Sequence, residues 1–247
     1  MNDSINTRTF VAVALGLTAA AANVLGGYIL VRGNWSKVYL KYFLALGAGF
    51  MLATAFVEIL PESLRLTGEP AFLFVLAGYF LVHLFEHTFA PHFHFGEETH
   101  HDALSHGHAG FTALLGLTIH TFFDGVAIAA GFLVSSWLGG VIFVAIILHK
   151  LPEGFTVASL MLASGQSRRV ALLASVALGT ATLAGVLLTN VLRGQLGYAL
   201  PLSAGVTIYV AASDLIPEVN REPSTGMALV VFVGVAILLG LHHCFRV

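Results

Sequence analysis

From Gly110 to Ala163 the chain reads GFTALLGLTIHTFFDGVAIAAGFLVSSWLGGVIFVAIILHKLPEGFTVASLMLA, two long apolar runs parted by Ser135 and Ser136. A bilayer core about 30 Å thick is crossed by about 20 apolar residues in a helix. Both runs, near 110 to 134 and 137 to 163, exceed that length. They are also far longer than the roughly ten alternating residues of a barrel strand, so they are predicted to form two transmembrane helices joined as a hairpin. Each run nevertheless carries ionisable side chains, His120 and Asp124 in the first and His149, Lys150 and Glu153 in the second. Such groups are costly at membrane depth and mark function by default.

Working outward by the same measure, the 247 residues hold eight spans, near 9–31, 38–61, 71–90, 110–134, 137–163, 168–192, 197–218 and 226–245. A hydrophobic share of 57% against 10% charged residues, with a mean hydropathy of +0.88, is more apolar surface than one soluble core buries. The fold class is therefore an all-α polytopic membrane protein with eight transmembrane helices, one domain over 1–247, whose main solvent is the lipid bilayer. The net charge is only −2 and no basic stripe is interleaved with aromatics, which excludes nucleic acid as a partner. Cys244 stands alone, so there is neither an intrachain disulfide nor a thiolate cluster. The polar stretch Met1 to Thr9 precedes a long first apolar segment without a small-residue cleavage site, which reads as a mature helix and not a signal peptide. The Lys and Arg residues of the short loops, weighed by the positive-inside tendency, place both termini outside the cytoplasm of a plasma or inner membrane.

Ala48 to Glu62, AGFMLATAFVEILPE, aligns without a gap with Ala204 to Glu218, AGVTIYVAASDLIPE. The first copy lies on the second span and the second on the seventh, running in opposite directions. That predicts an inverted repeat, spans 1–3 against 6–8 with 4 and 5 between, a 3+2+3 arrangement. The segment 91–109 between spans 3 and 4 is a His-rich cytoplasmic loop, with His92, His94, His100, His101, His106 and His108 beside Glu97, Glu98 and Asp102. Imidazoles in such a tract capture transition metals weakly.

The chemistry concentrates in spans 4 and 5. His120 and Asp124, and likewise His149 and Glu153, are four residues apart, one turn along a single helix face. Two such faces offer two imidazoles and two carboxylates, a set suited to a first-row divalent cation, whereas Mg or Ca would favour oxygen ligands alone. Pro152 cannot donate to the carbonyl of Leu148 and is predicted to kink the helix at the ligands. Gly125 and Gly154 are expected to loosen the packing beside an ion path.

The segments HTFFDGVAIAAGF (120–132) and HKLPEGFTVASL (149–160) resemble the two signature motifs of the ZIP family, the Zrt/Irt-like divalent metal transporters. The resemblance takes in the eight spans, the His-rich loop and the repeat, nearly the whole chain. It implies extracytoplasmic termini, the 3+2+3 arrangement and a mid-membrane site of His120, Asp124, His149 and Glu153, with Met51 as a candidate soft ligand. Some members hold a second ion through an Asn after the first histidine, an Asp after the second and a Glu on the sixth helix. Those positions here read Thr121, Lys150 and Thr182. A lysine ammonium in place of a second cation predicts one transported ion, with Lys150 as a tethered counter-charge.

Carboxylates four apart mark the expected ends of the path, Glu58 and Glu62 on the second span and Asp214 and Glu218 on the seventh, where acids raise the local cation concentration. His83 and His87 are expected to pass ions toward His92 and His94 of the loop. His242 and His243 are read as incidental. The expected activity is transport of a divalent transition metal, zinc first and iron, manganese or cadmium as alternates, toward the cytosol by alternating access. The metal is the substrate, a homodimer is an allowed assembly, and the lack of an ATP-binding loop leaves transport secondary or facilitated. The rival reading is an intramembrane zinc-dependent hydrolase, but there is no HExxH and every acid is needed as a ligand. A sensor or haem protein would leave Asp124 and Glu153 unexplained.

Overall fold

The computed structural model describes residues 2–33, 37–89, 109–220 and 224–245, and the regular structure among them is entirely helical. The His-rich segment 90–108, with His92 and His94, lies outside the described residues. In chain order the helices are α1 (Asn2–Arg32), α2 (Lys37–Thr54), α3 (Leu60–Thr67), α4 (Ala71–Phe89), α5 (Ala109–Val134), α6 (Ser136–Ala163), α7 (Arg168–Val191), α8 (Leu196–Tyr209), α9 (Ile216–Asn220) and α10 (Thr225–Phe245). Ser135 and Ser167 start α6 and α7 by accepting a hydrogen bond from a backbone N–H of the first turn.

Among the described residues, seven stretches are long and apolar enough to cross a membrane, and Ala71–Phe85 within α4 forms a shorter apolar one. Among these residues, then, seven of the eight expected spans are met in full, and α4 lies where the expected third was placed. The apolar lengths make the chain an integral membrane protein. Within the bundle α6 is the most enclosed, with 72% of its span buried, whereas α10 buries 17% and leaves the rest for lipid. α6 packs against α1, α5 and α2; α5 packs against α7; α10 lies on α2 and α4 on α8.

Among the helix crossings, the two beside the ionisable residues have no room for a side chain. A methyl group on Gly154 of α6 would fall on the carbonyl oxygen of Asn23 in α1, and one on Gly26 of α1 would fall on that of Leu151. On the other side, Gly125 of α5 meets the carbonyl of Thr182 in α7, and Gly185 meets that of Phe122. The glycines thus tighten the packing beside the ionisable residues, which corrects the expectation that they loosen it. Small residues let membrane helices approach backbone to backbone. Gly154→Ala is expected to destabilise the bundle by about 1–3 kcal/mol, read as a lower unfolding temperature in detergent.

Prolines also shape the backbone. α6 continues through Pro152 as an uninterrupted α-helix. The second and seventh spans each widen into a π-helical turn, Ala55–Ile59 and Val210–Leu215. Leu60 N–H donates to the carbonyl of Ala55 and Ile216 N–H to that of Ala211, which are equivalent positions in the two repeat copies. Pro61 and Pro217 follow directly. Their missing N–H and their clash with the carbonyl four residues back are relieved by inserting one extra residue into the turn. Glu58 lies within the first of these turns and Glu62 just after it, and both are buried.

Candidate metal centre

His120 and Asp124 project from α5, and His149, Lys150 and Glu153 from α6; all five side chains are buried. The i, i+4 spacing on each helix and the close α5–α6 packing bring one ligand atom from each of His120, Asp124, His149 and Glu153 within 4.8 Å of one another. The two imidazole rings lie with centroids 5.5 Å apart. His149 Nε2 is 3.2 Å and His120 Nε2 3.3 Å from Asp124 Oδ2. Zinc bonds to nitrogen and oxygen run about 2.0–2.2 Å, so two ligands of one tetrahedral ion lie about 3.3 Å apart. The imidazole–carboxylate spacing is that of atoms able to share a metal.

The imidazoles are prepared differently. His149 Nδ1 lies 3.2 Å from the carbonyl of Ala145, which can only accept, and Nε2 lies 3.2 Å from Asp124 Oδ2, so a metal-bound ring would donate from Nδ1 and ligate through Nε2. Neither ring nitrogen of His120 has a hydrogen-bond partner within the protein, although both are buried. A buried imidazole left so is costly, and a cation at Nε2 would relieve it.

Lys150 completes the centre. Its Nζ is 2.6 Å from both Asp124 Oδ2 and Glu153 Oε2 and 3.3 Å from Thr121 Oγ1, while the Thr121 hydroxyl donates to Glu153 Oε1. The ammonium therefore occupies one oxygen of each carboxylate. Thr182 is buried on α7, where its hydroxyl donates to its own helix, to the Leu178 carbonyl, and its backbone abuts Gly125.

The other expected site residues are distributed along the bundle. Met51 is fully buried in α2, in one apolar cluster with Ala145, and Gly47, one turn before it, abuts His149. Glu62 is paired with Arg65 on the next turn, which offsets its charge. Asp214 is buried in the second π turn, and Glu218 lies on α9 with its side chain outside the described residues. The His83 and His87 rings stack at 4.1 Å on α4. Glu58, wholly buried, accepts from Trp137 Nε1 at 3.2 Å and meets His242 Nδ1 at 2.7 Å. His242 is thus not incidental, which corrects the sequence reading. Asn23, also missed, is buried with neither amide atom bonded to protein; a lone Asn in an apolar run was its only signal.

A family model described as ZIP zinc transporter matches residues 94–242, more than half of the chain and both ionisable helix faces. The chain belongs to the ZIP zinc transporter family. Similar proteins include zinc transporter ZIP9-B of Xenopus laevis, 26% identical over 83% of this chain and 84% of the relative. Zinc transporter ZIP13 of Pongo abelii is 28% identical over 85% of this chain and 69% of the relative. Zinc transporter zipt-7.1 of Caenorhabditis briggsae is 24% identical over 94% of this chain and 76% of the relative. This ZIP family member is therefore a metal-transport protein and not an enzyme, and the hydrolase alternative has no support among its relatives.

Proposed function

We propose that this ZIP family member carries one first-row divalent cation at a time, zinc foremost with iron, manganese and cadmium as competitors, through His120, Asp124, His149 and Glu153. The observation that carries the reading is the convergence of those four ligand atoms within 4.8 Å between two buried helix faces. The relatives' names, all zinc transporters, favour zinc among the cations. Met51, one turn beyond the glycine that abuts His149, is a soft ligand for part of the cycle.

Charge supports a single ion. With neutral imidazoles, Asp124, Glu153 and Lys150 sum to −1. One divalent cation takes the centre to +1, and a second would take it to +3 in a low-dielectric interior. Thr121 and Thr182 bring no carboxylate to offset it. Lys150 also competes with the cation for both acids, which keeps binding weak enough for release.

Movement is read as alternating access between inverted repeats in a 3+2+3 arrangement. Support comes from matched contacts: α1 lies on α6 as α7 lies on α5, and α10 lies on α2 as α4 lies on α8. The π turns at equivalent repeat positions point the same way. In this reading Glu58 and Glu62 lie at the extracytoplasmic end, and Asp214, Glu218, His83 and His87 line the route toward His92, His94 and the cytosol. Both termini are extracytoplasmic in a plasma or inner membrane, and pairing into a homodimer is open to crosslinking in the bilayer.

Proteoliposomes containing the wild-type chain are expected to take up labelled zinc saturably, with cadmium, iron and manganese competing. Uptake no faster than in protein-free vesicles overturns the reading.

A further inference from the structure

A second group of polar side chains meets at the end of the bundle where α5 gives way to α6. Glu58 in the first π turn, Trp137 in the first turn of α6 and His242 in the last turn of α10 meet there, and Glu58 and His242 are 184 residues apart in the chain. The Glu58 carboxylate is fully buried, while the His242 side chain is 36% exposed, so the pair joins the interior to the end face. Trp137 N–H can only donate, and its bond to Glu58 Oε1, the oxygen that also meets His242, fixes the carboxylate through one lone pair and leaves the other toward His242.

From Glu58 a row of coordinating atoms leads inward along one helix. Thr54, four residues earlier, is fully buried and its hydroxyl has no hydrogen-bond partner. Met51, seven residues earlier and about 10 Å along the axis, shares a cluster with Ala145, whose carbonyl orients His149. We propose that Glu58 and His242 form a second cation-holding position, a two-ligand way station where an incoming first-row divalent ion gives up part of its water. His242 Nδ1 and Glu58 Oε1 are 2.7 Å apart with a proton between them. Replacing that proton with zinc needs a separation of about 3.3 Å, a shift of well under 1 Å and within the reach of one side-chain rotation. Two protein ligands hold such an ion far more weakly than four, as a way station requires.

The inference rests on the transport reading, and its tests separate the two. In purified protein carrying His149→Ala and Glu153→Gln, which disable the central site, one weakly held cadmium ion per chain is expected in equilibrium dialysis, and adding His242→Ala removes it. In proteoliposomes of the otherwise wild-type chain, His242→Ala and Glu58→Gln are expected to raise the KM for zinc about tenfold. His242→Gln keeps a hydrogen-bond donor toward Glu58 but is a poor ligand for zinc. Its KM rising like that of His242→Ala supports a metal role, whereas rescue by Gln assigns the contact to holding α10 in place and overturns the proposal. No residual cadmium ion, or one that survives His242→Ala, overturns it too, while wild-type transport would leave the central reading standing.

Discussion

His149→Ala abolishes saturable zinc uptake in proteoliposomes, a loss on the order of 100-fold or more in initial rate at low zinc. His149 is the imidazole of the centre whose ring is oriented by a partner at Nδ1, and its Nε2 lies 3.2 Å from Asp124. Without it Asp124 keeps only His120 and the competing Lys150. The fold should survive, because the residue's hydrogen bonds, to the Ala145 carbonyl and to Asp124, contribute about 1 kcal/mol each, so the unfolding temperature moves little while transport disappears. Asp124→Asn should behave alike, since an amide supplies no charge to bind the cation or to hold Lys150. Rates near wild type in either variant would place the transport path elsewhere.

The fold class was legible because membrane helices announce themselves by length, and the centre because His120–Asp124 and His149–Glu153 repeat one spacing in two apolar runs. Spacing along a helix reports which residues share a face. It does not report which face meets which helix, and the misreadings all lie there. Gly125 and Gly154 looked like slack in the packing, but only the crossings with α7 and α1 show that they sit where two backbones touch. His242 looked incidental because its partner Glu58 is remote in sequence and lies within a π turn that no periodicity rule anticipates. Pro61 and Pro217 were the available signal for those turns, each two residues after a leucine or isoleucine pair's start and three after an acid of the repeat.

Lys150 gives the sharpest test of how many ions the centre holds. The wild-type chain is expected to bind one cadmium or zinc ion tightly within the membrane, and Lys150→Asp to bind two, counted by elemental analysis after dialysis. The substitution takes the formal charge of the centre from −1 to −3 and puts a carboxylate beside Thr121, Asp124 and Glu153, where the ammonium now lies. Two unit charges about 4 Å apart interact by roughly 4 kcal/mol at an effective dielectric of 20, so a divalent ion near the ammonium meets on the order of twice that repulsion, and removing it decides occupancy. Lys150→Met separates charge from ligation. It frees both carboxylates without adding a ligand, so one ion should bind more tightly and leave more slowly, lowering maximal uptake along with KM. Two tightly held intramembrane ions in the wild type would show that Lys150 does not stand in for a cation. Unchanged affinity in Lys150→Met would show that the ammonium does not compete for Asp124 and Glu153, and release would then have to be driven by the rocking of the helices alone.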